Sequence, residues 1–67
     1  MEYIVIQDYG LSTEAICYVG ESEIDAFRSY KEIAGLGQRN IFKAKIKRIY
    51  WKQKPVIDRY EVFEKIR

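Results

Sequence analysis

Apolar and polar positions along the chain fall into runs whose periods assign them to elements. Tyr3-Ile4-Val5-Ile6 is aromatic and β-branched and breaks at Gln7-Asp8-Tyr9-Gly10, the composition of a strand closed by a turn. Ala15 to Val19, stopped by Gly20, predicts a second strand. The intervening Gly10, Ser12 and Thr13 suit an antiparallel hairpin with a loose loop.

After Gly20 the period lengthens. Ser22 followed by Asp25 is a near match to a capping box, and Glu23 sits favourably against the positive end of a helix dipole. Ile24, Phe27, Tyr30 and Ala34 recur three and four apart, with Ala26 and Ile33 widening the stripe, which predicts a helix over Glu23 to Ala34 ended by Gly35.

From Ile41 to Lys52 the period is two. Even positions Phe42, Ala44, Ile46 and Tyr50 are apolar around Arg48, while odd positions Lys43, Lys45 and Lys47 are cationic between Ile41, Ile49 and Trp51. A turn around Gln53-Lys54-Pro55 leads into Val56 to Ile66, expected as a fourth strand although Val56, Tyr60, Phe63 and Arg67 also fit a helical spacing. Placing Ile46 opposite Val62 brings Phe42 to Ile66, Arg48 to Tyr60 and Lys47 to Glu61. A one-residue slip sets Lys43 against Glu64 but turns Tyr60 and Val62 from the core face, so the first register is expected. The fold class is α+β: a ββαββ two-layer arrangement, an antiparallel four-stranded sheet with one helix on one face, forming one compact domain over residues 1–67.

Composition narrows the chemistry. The 67 residues hold no histidine and one cysteine, Cys17, so a His-based triad, a Cys/His zinc site and an internal disulfide are excluded. Cys17 lies mid-strand, where cysteine behaves as a small buried hydrophobe, and no base or cation is placed to activate it. Glu14, Glu21, Glu23 and Asp25 lack the spacing of a calcium loop, and Gly35-Leu36-Gly37 follows a helix instead of leading into one, which reads as a cap and not a phosphate loop. No catalytic residue, cofactor or metal is expected, and the chain is not read as an enzyme. The four-residue run at Tyr3 is too short for a membrane span, so a cytoplasmic setting is expected.

The net charge of +2 hides a dipole. Residues 1–38 carry seven acids and two bases, residues 39–54 seven bases and no acid, and residues 55–67 three of each. Lysines two apart on a strand lie roughly 6.6 Å apart, close to the phosphate repeat of an extended single strand, with Trp51 beside them to stack. The same row also reads as a solvated face answered by Glu61 and Glu64, or as contact with an acidic protein.

Phe27, Tyr30, Phe42 and Tyr50 have core-facing phases, whereas Tyr9 and Trp51 are harder to bury. Lys43, Lys45, Lys47, Arg48, Trp51 and Tyr9 are therefore the candidate binding residues. The expected function is a small non-catalytic module that regulates or inhibits a larger protein, an accessory of the kind phages and mobile elements make. A nucleic-acid binder using the basic third strand is the alternative, and a homodimer is a further possible state.

Overall fold

The computed structural model describes residues 1–33 and 37–67. Its elements are β1 (Glu2–Gln7), β2 (Ala15–Gly20), α1 (Glu23–Glu32), β3 (Arg39–Trp51) and β4 (Lys54–Lys65). The sheet is antiparallel with order β2-β1-β3-β4, and one helix lies on it, a two-layer α+β fold in ββαββ order. Residues 56–65 are strand, which settles the ambiguous period of that segment. The helix end expected at Ala34 and Gly35, and the turn through Leu36, lie outside the described residues. Among the described residues no helix is long and apolar enough to cross a membrane.

The helix starts as its sequence dictates. Ser22 is the N-cap, and its Oγ accepts from the Asp25 backbone N–H at 3.1 Å, satisfying one of the donors that a helix start leaves open. Arg39 closes the other end, donating to the carbonyls of Tyr30 at 2.9 Å and Ile33 at 3.0 Å while its guanidinium stacks 4.4 Å from the Tyr30 ring. Tyr3 donates to Glu23, so α1 runs from the Tyr3 level of the sheet towards Arg39.

The helix takes the face opposite to the one that strand parity suggested. Val5, Ile41 and Ala26 are fully buried with Tyr3, Tyr18, Phe27, Tyr30, Ile33 and Ile66 packed around them, so α1 sits on the odd face of β3. The apolar even face builds a second core from Ile4, Ile6, Phe42 and Ala44, flanked by Val19, Ile46, Tyr60 and Val62. Among the described residues no second helix covers it. The β1–β2 loop folds over it instead, with Tyr9 at 4.7 Å from the Phe42 ring. Ile24, assigned to the helix stripe, is 73% exposed, because the buried stripe runs through Ala26, Phe27 and Tyr30.

Three bulges alter the expected strand pairing. Lys43 pairs with Glu64 and Ala44 with Val62, leaving Phe63 unpaired; Lys47 pairs with Arg59 and Arg48 with Ile57, leaving Asp58 unpaired. The expected register, Ile46 against Val62, is replaced by Ile46 against Tyr60. The bulge at Phe63 lets the Lys43–Glu64 pair form while Tyr60 and Val62 keep the core face. In β2 the extra residue is Cys17, which is exposed and not the buried hydrophobe expected.

The β3–β4 turn also comes earlier than expected. Lys52 and Gln53 have φ of 51° and 64°, the left-handed pair of a two-residue hairpin turn, and Lys54 and Pro55 already belong to β4. Pro55 is tolerated there because β4 is an edge strand. A side chain in the left-handed region costs about 1–2 kcal/mol per residue, which glycine avoids. Gln53→Gly should therefore raise stability by about 1 kcal/mol, or roughly 4–8 °C in a calorimetric Tm; an unchanged or lower Tm would contradict the strained turn.

Candidate functional site

β1 ends its pairing with β3 at Glu2 and Ala44, so from Lys45 outward β3 has β4 as its one neighbour. The pairs from Lys45–Glu61 to Trp51–Lys54 thus form a two-stranded ribbon, seven residues of β3 and about 23 Å long. Such ribbons are marginal in water. Two carboxylates from the body hold this one on its even face. Arg48 donates from both terminal nitrogens to the two oxygens of Glu2 at 2.6 Å each, and the Tyr60 hydroxyl donates to Glu14. Glu14 also accepts from the Gly10 backbone N–H at 2.8 Å, so it ties the β1–β2 loop and the ribbon together.

These contacts set the local electrostatics. The Arg48 hydrogen bonds hold the Glu2 carboxyl below its ordinary value of 4.5 against the opposing effect of burial, the Arg48 charge adds to the lowering, and Glu2 raises the Arg48 guanidinium in turn. The Tyr60 hydroxyl and the Gly10 N–H hold Glu14 below 4.5. Partial burial, then the Glu14 bond, pushes the Tyr60 hydroxyl well up.

The six candidate residues do not form one site. Lys43, Lys45, Lys47 and Trp51 share the odd face of β3, whereas Arg48 lies on the even face in its pair with Glu2. Tyr9 is 38% exposed on that same even side, packed on Phe42. Lys43 is drawn into a 3.6 Å ion pair with Glu64, and Arg39 of the same basic run is spent on the helix end. Among the described residues, Lys45, Lys47, Lys52 and Lys54 have no carboxylate within ion-pair distance.

Sequence reasoning missed the other half of the site. Arg59 stands directly opposite Lys47, and with Lys45, Ile46, Tyr60 and Glu61 these two line a shallow depression of about 300 Å³. Its signal was the strand register, which the bulges hide. At the ribbon end Tyr50 is 81% and Trp51 63% exposed, and the Ile49–Val56 pair on the same face as Trp51 is also exposed. Tyr50 thus corrects the core assignment: its even-face position lies beyond the reach of β1, so nothing among the described residues covers it. The acidic residues are scattered as well, with Glu14 on the ribbon clamp and Glu23 and Asp25 in the first helical turn. Comparison of the chain with protein-family models, curated proteins and solved structures finds no match.

Glu2 and Glu14 both have folded values below 4.5, so each stabilises the fold above that pH and loses its contribution as pH falls through the folded value. The urea midpoint should drop between about pH 5 and pH 3, and drop less in Glu2→Gln/Glu14→Gln. Equal drops in the two proteins would show that the clamps do not carry the acid sensitivity.

Proposed function

We propose that this chain is a non-catalytic binding module that engages a larger protein through the end of the β3–β4 ribbon. The observation that carries the reading is the set of exposed side chains there: Trp51 lies beyond the exposed Ile49–Val56 pair on the odd face, Tyr50 projects from the even face, and no part of the described chain covers them. Aromatic residues in such a setting act as interface anchors because they bury large area at a low cost in side-chain entropy. The sheet edges suit this role less. β2 is interrupted at Cys17 and β4 at Asp58 and Phe63, and bulged edges twist away from a pairing strand. Regulation or inhibition of the partner is the corresponding role, since a bound contact surface acts by occupying part of the partner.

A second reading is favoured by one pair. Lys47 and Arg59 face each other across the ribbon, and like charges directly opposite destabilise a sheet. An anionic strand along Lys45, Lys47 and Arg59, with a base stacked on Trp51, would relieve that repulsion.

The two readings separate by variant. Truncation of anchor residues costs 2 kcal/mol or more, so Tyr50→Ala/Trp51→Ala should weaken capture of a protein partner from the native host by about thirtyfold at unchanged circular dichroism. Retention of the same partner at the same affinity would remove the ribbon end as the contact. Under the second reading, fluorescence anisotropy with a labelled single-stranded oligonucleotide shows binding that weakens steeply between about 50 and 200 mM salt and is lost in Lys45→Glu/Lys47→Glu. No binding at the lower salt would remove nucleic acid.

A further inference from the structure

The helix covers only part of its side of the sheet. α1 packs against β1, β2 and β3 but not against β4, and from Lys45 outward the odd face of the ribbon has no layer above it. A helix stands roughly 10 Å above the sheet it packs on, by analogy with the spacing of other packed layers, so this side of the molecule has a step. The low tread is the bare ribbon face and the riser is the start of α1, at the level of Tyr3 and Lys43.

The two parts of the step carry opposite charge. On the tread stand Lys45, Lys47 and Arg59, with Glu61 opposite Lys45, Asp58 at 4.0 Å from Arg59, and Lys54 opposite Trp51 further out. The riser holds Glu21, Glu23 and Asp25, with no base before Arg28. Asp25 is half engaged by Arg28 at 3.5 Å, Glu23 accepts from Tyr3, and Glu21 lies close enough to Arg48 for its charge to act there, yet all three acids remain exposed. Ile24 projects between them, beside Phe27, into a depression of about 460 Å³. Exposed Ile24 on one part and exposed Ile49 and Val56 beyond a cationic row on the other are complementary in polarity, and the acids of the first helical turn are complementary to that row in charge, with Arg28 and Lys31 on the far side of the Ile24 depression.

We propose that two copies of this chain associate about a two-fold axis, each laying the acidic first turn of its α1 on the bare cationic ribbon face of the other. Because each copy supplies one riser and one tread, the contact is isologous and closes at two. The result is a sandwich of two sheets with two helices side by side between them, and each helix then has sheet on both sides. The Lys47–Arg59 repulsion is relieved by the carboxylates of the neighbour. A standard interface buries about 800 Å² per partner, roughly a sixth of the 5128 Å² this chain exposes. The proposal goes beyond the partner reading of the ribbon end, since it uses Lys45, Lys47, Arg59 and the start of α1 and leaves Tyr50 outside.

Sedimentation velocity with complementary charge reversals tests it. At about 50 mM salt and 100 μM protein the wild type should sediment as a species of twice the 8.0 kDa chain mass, dissociating as salt rises. Lys45→Glu/Lys47→Glu and Glu21→Lys/Asp25→Lys should each be monomeric, with self-affinity reduced on the order of tenfold or more. Their equimolar mixture should recover the dimer, because each then presents the charge the other lacks. Circular dichroism identifies a variant that fails to fold; Ile24→Lys, a substitution at an exposed helix position, then takes its place and should likewise be monomeric. A monomeric wild type at the low salt, with or without oligonucleotide bound, overturns the proposal, as do folded variants that still dimerise or a mixture that does not. The capture experiment with Tyr50→Ala/Trp51→Ala reads the ribbon end separately, so either idea can fail alone.

Discussion

Everything beyond the middle of the sheet depends on how a two-stranded ribbon is kept in place. Past Lys45 the strands β3 and β4 have only each other, and the burial available to such a pair does not fix its direction. Glu2 and Glu14 do that work from the body of the protein, one through a bidentate ion pair with Arg48 and the other through Tyr60. Both act on the even face, the side opposite α1. The ribbon is thereby drawn over the core of Ile4, Ile6, Phe42 and Ala44, which has no helix of its own. The same pull leaves the odd face of the ribbon open.

This arrangement explains how a run of seven cations with no acid among them is accommodated in a small fold. Arg39 satisfies the end of α1, Lys43 meets Glu64, and Arg48 meets Glu2, so three are consumed by structure. What remains is concentrated on the ribbon, where Arg59 from outside the run joins it. A domain of this length has roughly 3–10 kcal/mol of net stability, and truncation of one fully buried residue such as Ile41 removes about 2–5 kcal/mol of it. A cross-strand pair of like charges is therefore not a trivial cost at this scale. Its persistence in the free chain is the physical basis for reading this face as a contact surface.

The element order was legible in the sequence because periodicity depends only on neighbours along the chain. The alternation of β3, the Ser22 cap with its Asp25 partner and the β-branched run of β1 each carried its own signal. What the sequence concealed are relations between distant segments. The side of the sheet taken by α1 was hidden because Ile41 and the lysines share a parity: the helix covers the first part of that face and stops short of Lys45. The register was hidden because a bulge satisfies at once two pairings that a regular ladder makes exclusive. Glu2–Arg48 and Glu14–Tyr60 join residues 46 apart, and nothing local to either partner announces the other. Of the candidate site, the lysine row and Trp51 were readable, whereas Arg59 became visible only across the strand.

The placement of Trp51 has an optical consequence. It is the chain's one tryptophan and it stands at the far end of the ribbon, while Tyr3 and Tyr18 of the sheet and Tyr30 of the helix are packed where helix and sheet meet. Indole emission therefore reports the ribbon tip, and the near-ultraviolet dichroism of the packed tyrosines reports the body. Two-state unfolding requires that probes of different regions give coincident transitions, and a ribbon held by two clamps is the kind of unit that opens below the global free energy. The protein thus carries, without labels, a pair of chromophores that can time the release of its ribbon against the melting of its core.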